Sequence, residues 1–446
     1  MHKTTVQLAL FCVLVVWLGL TWCPTSRFDE AFGWQESERD IQKLWGAYTP
    51  YYPVQEYKAP PAGCAITQVN ILQRHGARFP TGGAAANIIS AVQKLQRVHA
   101  RYTHPAMAFL RSFEYDLGVA DLVPFGALQS LESGKEIFER YGELVDEDHI
   151  PFVRASSGQR VVDSANNWTT GFAVASRHVY RPILNVILSE EGNDTLENHM
   201  CPNAEKPEEL TQEWLSLYAP AITSRLNMWA PGAGLTHPET AALISMCAFH
   251  TAALATGSNF DTLSPFCDLF TSEEFAAFDY SADLEKYYYT GHGARLGRVQ
   301  GVGYVNELLA RLTRSAVRDH TQTNRTLDSD PATFPLDRTI YADFSHDNTM
   351  IAIVAALGLF RQRQPLSARH VDPSRTWRIH EMVPFAGRIV VEKLGCGDGE
   401  FVRVLVNDAL QPVDFCASEI CRLEEFVESQ SYARSDGEGD WELCYS

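Results

Sequence analysis

Hydrophobic positions along the chain recur with two periods. Ala65–Gln73 (AITQVNILQ) starts in alternation and turns into an apolar, β-rich stretch, which predicts a buried strand. Thr339–Ser345, Arg388–Leu394 and Phe401–Val406 predict further strands. Ile150–Arg154 predicts a short one, followed by the polar turn 155–158. Helical spacing fills most of the rest. Asn87–Arg101 puts Ile88, Ala91, Val92, Leu95 and Val98 on one face. Gly126–Leu144 predicts a second helix, and a long helical pattern runs from the turn to about His178. Pro207–Trp229 opens with Pro and Glu, as helix N-termini do, and Pro238–Ala255 and Ser272–Tyr289 follow the same logic. Gly301–Arg314 is amphipathic, Thr349–Leu359 apolar, and Ser418–Gln430 predicts a last helix. Residues 319–337 read as a loop, and residues 25–63 as an extended arm with a short helix near Glu38–Leu44. Strands at both ends with helices between predict an α/β sheet flanked by helices, carrying an inserted, smaller α-helical domain. The expected division is a leader over 1–23, then the arm and first part of the α/β unit over 24–90. A largely helical cap over 91–290 follows, with α/β segments near 120–180, and 291–446 completes the α/β unit.

The first 23 residues are an address rather than part of the fold. Lys3 precedes an apolar run from Leu8 to Trp22, which fits a secretory signal. The run falls short of the roughly 20 residues a spanning helix needs. A cleaved signal and an uncleaved anchor both remain open, and either carries the rest of the chain into an oxidising compartment. Cysteine use agrees. Outside the leader stand Cys64, Cys201, Cys247, Cys267, Cys396, Cys416, Cys421 and Cys444, an even set that suggests four disulfides of open connectivity. No CxxC spacing is present to offer a zinc site. Asn167, Asn193 and Asn324 head N-x-[ST] sequons, as on a glycosylated secreted protein. The net charge of −18 argues against a nucleic-acid binder, while leaving room for an anionic ligand held by a few arginines in one cleft.

Candidate chemistry gathers at three strand ends. Arg74-His75-Gly76-Ala77-Arg78-Phe79-Pro80 follows the first strand, Arg154 the second, and His346-Asp347 the third. Ligands of open α/β sheets sit beyond the carboxyl ends of strands, and helix N-termini there favour anions. Guanidinium forks match phosphate oxygens, and a histidine between such clamps can act as a nucleophile. Each piece alone fits a structural role. Together they describe one cleft for an anion.

The pattern resembles the histidine acid phosphatases, whose signature is RHGxRxP with a distant HD. It stands here as RHGARFP and as Ser345-His346-Asp347. Further segments, among them Val123–Gly126, Pro151–Ser156, Leu263–Cys267 and Asn306–Ser315, are similar to fungal phytases in particular. The resemblance implies a histidine-phosphatase-like sheet with a helical insertion. It implies a secreted enzyme that hydrolyses phosphomonoesters of myo-inositol hexakisphosphate through a phosphohistidine. His75 would be the nucleophile and Asp347 the proton donor. Arg74, Arg78, Arg154 and His346 would hold the phosphoryl oxygens, and Tyr48 would line the substrate pocket. No metal, cofactor or obligate protein partner is implied. The family pattern further implies the disulfides Cys64–Cys396, Cys201–Cys444, Cys247–Cys267 and Cys416–Cys421.

The chain departs from that pattern in the outer pocket. Residues 81–87 (TGGAAAN) lack the lysines many phytases carry there, His250 stands where an Asp is usual, and Ala47 where a Gln is common. A broad-specificity phosphomonoesterase therefore remains the alternative. A non-catalytic phosphate binder would have no need of both His75 and Asp347. A dinucleotide site at Gly297, Gly301 and Gly303 lacks the strand that should precede it.

Overall fold

The computed structural model describes residues 41–257, 262–397, 399–413, 416 and 419–446. The expected leader, and the part of the arm before Ile41, lie outside the described residues. Among the described residues, eight strands form one mixed sheet. They are β1 (Cys64–Arg74), β2 (Phe152–Ser156), β3 (Leu184–Leu188), β4 (Ile340–Ser345), β5 (Arg388–Cys396), β6 (Gly399–Val406), β7 (Ala409–Gln411) and β8 (Cys421–Arg422). Their order is β3-β2-β4-β1-β5-β6-β7, with β8 paired to β6. β3, β2, β4 and β1 run parallel, and β5 pairs antiparallel with β1.

β1 lies inside the sheet with both faces covered, which explains its nearly continuous apolar run. Alternate residues enter different cores. Val69 and Ile71 pack with Ile137, Tyr141, Trp168 and Phe172, from helices Pro124–Tyr141 and Gln159–Ala175. Leu72 belongs to the other cluster, with Val305 and Ile351 from helices Val302–Thr313 and Asp347–Ala356. Between β3 and β4 the chain is strand-free among the described residues. It carries helices Glu208–Trp229, His237–Leu254 and Ser272–Tyr289, the last two opened by capping boxes at Thr236 and Thr271.

Most expected elements occur, with shifted ends. The helix expected over Asn87–Arg101 is Gly82–Arg97 plus a short 3-10 turn. That expected over Thr349–Leu359 begins two residues earlier, at Asp347. The described part of the arm's helix is a 3-10 turn, Ile41–Lys43. β3, β7 and β8 had not been expected. The helix Arg325–Asp328 interrupts the loop expected over 319–337. Gly301 serves packing rather than a dinucleotide, because a Cβ there would come within 2.5 Å of the Ala352 backbone. The structure contains the four disulfides Cys64–Cys396, Cys201–Cys444, Cys247–Cys267 and Cys416–Cys421, the pairs the family pattern implies. No helix of the described residues is long and apolar enough to cross a membrane.

The loop leaving β1 is pressed against the start of helix Pro124–Tyr141. A Cβ on Gly76 would lie 2.1 Å from the Gly126 carbonyl oxygen, and a Cβ on Gly126 would lie 2.0 Å from that of Ala77. Gly126→Ala should therefore cost about 3 kcal/mol or more of stability, an overpacking cost with backbone on both sides. Gly83, in the first turn of its helix, meets nothing within 4 Å. Gly83→Ala should be neutral or stabilising by about 0.5 kcal/mol. Urea unfolding midpoints with the disulfides intact check both, and equal effects would show that the close approach carries no energy.

Candidate active site

β1 and β4 lie side by side and end together, with Arg74 opposite Ser345 in register. The two polar segments therefore leave the sheet at one point. The His75 backbone N–H donates to the Ser345 carbonyl at 3.1 Å, and its own carbonyl accepts from Ala386 at 3.0 Å. His346 occupies the N-cap position of helix Asp347–Ala356, and Asp347 is its first residue. A carboxylate at that end is favoured by the helix dipole.

Arg74 is fully buried. Its guanidinium donates to the carbonyls of Ala47 and Val383, and to Asp347 Oδ2 at 2.9 Å. It lies 4.6 Å from the centre of the Phe385 ring. The two segments supplying those carbonyls share an anchor on helix Ser272–Tyr289. There, Asp279 accepts from the Gly46 N–H at 2.9 Å and pairs with His380 Nδ1 at 2.9 Å.

His75 is buried beside this cation. Its Nδ1 lies 2.8 Å from the Gly76 carbonyl oxygen. A carbonyl only accepts, so Nδ1 carries the hydrogen and Nε2 bears the lone pair. Burial, with Arg74, Arg160, Arg78 and His346 around it, pushes the imidazole pKa well below the usual histidine range. The ring stays neutral in acid, with Nε2 available as a nucleophile.

Asp347 is also partly buried, which by itself would raise its carboxyl. Arg74, Lys286, Arg78 and His75 overcome that and hold it well below the usual carboxylate range. Lys286 Nζ lies 3.6 Å from Asp347 and donates to Asn348 Oδ1 at 2.7 Å. His346 is held from both sides. An Arg160 guanidinium N–H donates to its Nδ1 at 3.1 Å, so Nε2 carries the ring hydrogen and donates to Glu190 at 2.9 Å. Tyr48 packs against Phe249 with the rings tilted and their centres 4.5 Å apart, and faces the same cavity, of about 510 Å³. Arg78, Arg160, Lys286, His346 and Asp347 line it too, and Glu190, Glu197 and Glu285 add negative charge.

One expected ligand is elsewhere. Arg154 lies within β2 rather than beyond it. It is buried, with Nε donating to Asp343 at 2.8 Å and Nη2 to Glu307 at 2.6 Å. Its charge is spent on a buried ion network that also takes in Arg311. The third guanidinium of the cleft is Arg160, on the first turn of helix Gln159–Ala175. Its position after a strand and a polar turn was the available signal. Lys286, Glu190 and Phe385 come from distant segments and carry no local signal. His250 is not a lining residue of the cleft. Its Nδ1 lies 2.9 Å from Ser264 Oγ, its ring packs edge-on to Phe113, and burial lowers its pKa. Asn167 donates to the Asp163 carbonyl within its helix, Asn193 is exposed, and Asn324 caps helix Arg325–Asp328. Among the described residues, no group of three His, Cys, Asp or Glu is placed to hold a metal.

The family description Histidine phosphatase superfamily (branch 2) matches residues 65–407. Phytase A of Aspergillus oryzae is 40% identical over 430 residues, covering 91% of each chain. Phytase A of Emericella nidulans is 41% identical over 436 residues, again 91% of each. Among solved structures, the phytase from D. castellii superposes with a TM-score of 0.73 at 23% identity, covering 88% of this chain and 85% of that one. The Bifidobacterium longum multiple inositol polyphosphate phosphatase, in complex with inositol hexasulfate, gives 0.63 at 15% identity, covering 86% and 96%. Both share the fold.

Arg160 and Arg154 should separate cleanly on substitution. Arg160→Ala should weaken binding of inorganic phosphate by about 10–100-fold, the worth of a charge-assisted hydrogen bond, and leave the unfolding midpoint nearly unchanged. Arg154→Ala leaves Asp343 and Glu307 short of a buried partner and should cost about 3–5 kcal/mol of stability. Calorimetric titration with phosphate and denaturant unfolding measure the two effects. The reverse assignment of losses would return Arg154 to the cleft.

Proposed function

The chain belongs to the histidine phosphatase superfamily, branch 2, and from that premise we propose that it is a phytase. It is a phosphoric monoester hydrolase. In this reading it acts on myo-inositol hexakisphosphate through a covalent phosphohistidine. One observation carries the mechanism: His75, whose Nε2 lone pair is left free by the Nδ1–Gly76 contact, is buried under the charges of Arg74, Arg78 and Arg160, and Asp347 opens the helix that follows the neighbouring strand.

Nε2 of His75 attacks phosphorus, forming an N–P bond as the P–O bond to the alcohol breaks. Arg74, Arg78 and Arg160 face the charge that spreads over the phosphoryl oxygens, and being fixed they need no reorganisation. His346 orients the same group. Asp347 protonates the departing alkoxide, then takes a proton from the water that hydrolyses the phosphohistidine. Without substrate, Arg74 and Lys286 keep Asp347 ionised. A bound phosphomonoester brings negative charge that opposes them and raises the pKa of Asp347 in the complex. The donor form therefore exists at low pH and is lost as pH rises, whereas the depressed His75 keeps the nucleophile neutral in acid. The two effects together give an acidic optimum.

The same cleft supports a second reading. Lys286 is the lysine lining it, against three glutamates, so remote phosphates of a polyanion find little added attraction. That favours a broad phosphomonoesterase. The ratio of kcat/KM for phytate to that for a simple aryl phosphate decides between them. Four disulfides support a secreted protein, in which the three sequons would carry glycans.

Asp347→Asn should slow substrates with poor leaving groups by about 10²–10⁴-fold and activated aryl phosphates far less. His75→Ala should abolish both and leave no acid-labile phosphoenzyme on rapid quench. An equal loss on both substrate classes in Asp347→Asn would make Asp347 a positioning group rather than the acid.

A further inference from the structure

Beside the cleft, two carboxyl groups share one hydroxyl. Ser156, the last residue of β2, has its Oγ 2.9 Å from Glu190 Oε1 and 2.7 Å from Asp194 Oδ2. A hydroxyl has one hydrogen to give. Were both carboxyls ionised, one would face only the lone pairs of Ser156. The geometry is satisfied when one carboxyl carries a proton and donates it to Ser156, which donates to the other.

The surroundings say which one. Glu190 also accepts from His346 Nε2 at 2.9 Å and from the Gly158 N–H at 2.8 Å. The His346 hydrogen bond, with these other donors, lowers its carboxyl to about 2. Asp194 is fully buried, and its other oxygen receives one donor, the Leu196 N–H at 2.7 Å. The charged groups that act on it most are Glu197 and Glu190, on its own segment. β2 faces it with the Ser156 hydroxyl, and no lysine, arginine or histidine is ion-paired with it among the described residues. Burial pushes its carboxyl up to about 7. Of the two carboxyls, Asp194 is therefore the one that keeps a proton to the higher pH.

A directed chain results, from Asp194 through Ser156 to Glu190, which receives His346 from the opposite side. His346 in turn receives Arg160. We propose that Asp194 is a positioning residue that works as a neutral acid, and that loss of its proton weakens anion binding in the cleft as pH rises. When it ionises, Ser156 turns to the buried anion, Glu190 loses a donor, and a further negative charge faces the anion site. The folded-state value is raised, so the contribution to stability is complete below the unfolded value and lost as pH rises through about 7. The inference rests on the proposed function only for the identity of the natural anion.

Sulfate is a suitable probe because its own charge stays constant across the range. Its Kd, measured by calorimetry on the full chain, should weaken between about pH 5.5 and pH 8 by about tenfold more in the natural protein than in Asp194→Asn, in which the amide mimics the neutral acid. Equal pH dependence in the two proteins overturns the proposal. Ser156→Ala, which cuts the chain, should also flatten the dependence and serves if Asp194→Asn does not fold. Infrared spectra of the natural protein should show a protonated-carboxyl band that titrates near neutrality and is missing in Asp194→Asn. Its absence at about pH 5.5 overturns the proposal as well. Neither measurement needs turnover. A chain that passes both yet hydrolyses no phosphomonoester would sink the functional reading and leave this one standing.

Discussion

A guanidinium withdrawn from water must be met by acceptors, and Arg74 sets that demand at the centre of the molecule. Its partners come from the turn Gly46–Tyr48, the segment around Val383 and the start of helix Asp347–Ala356. An unpaired charge there would cost several kcal/mol, so the three segments must arrive together or the fold is penalised. Asp279 binds two of them to each other from behind, through Gly46 and His380. The cation assigned to the proposed chemistry is thus the same one that assembles its surroundings. Its direction is fixed before any ligand arrives, which is the condition under which a charge stabilises a transition state without reorganisation.

The proposed catalytic pair was legible because its chemistry lies in contiguous letters. Arg74-His75 and His346-Asp347 each end an apolar run, and the parallel pairing of β1 with β4 brings them together. The α/β sheet followed from the same runs. Arg154 misled because sequence shows proximity to a strand end but not what lies across the sheet. Asp343 pairs with it in register from β4, and Glu307 reaches it from a helix some 150 residues later, so its charge is consumed inside. Arg160, six residues on, escapes that network because it starts a helix. β3 is not legible because its burial alternates while its letters do not: at the sheet edge Ile187 is apolar yet exposed. Lys286, Glu190 and Phe385 reach the cleft only through tertiary contact, which no local pattern encodes.

The glutamates of the cleft deserve comparison with its arginines. The guanidinium groups are those proposed to meet the phosphoryl group, while Glu190 is turned to His346, Gly158 and Ser156. Negative charge in a phosphate site is tolerable when it is spent on hydrogen bonds to the protein. Glu285 is half-exposed and only 3.3 Å from Lys286, whose cation it partly offsets toward solvent. The inner cleft is thereby electropositive within a strongly acidic protein, so attraction for an anion is short-ranged.

The position of β1 has a consequence for biosynthesis. Its neighbours β4 and β5 follow it by hundreds of residues, and the Cys64–Cys396 bridge closes at the far end of the same pairing. At ribosomal speeds of 5–20 residues per second, the strand leading to His75 waits roughly 15–60 s for its partners. During that time it is an apolar segment with an unpaired thiol, while Cys201, Cys247 and Cys267 emerge ahead of Cys396. The first bridge those neighbours can close natively is the local Cys247–Cys267 loop. Cys64 must stay reduced, or be released from a wrong partner by exchange, until almost the whole chain has been made. Yield of the active protein should accordingly track the thiol-exchange capacity of the compartment that folds it more closely than it tracks the stability of the finished structure.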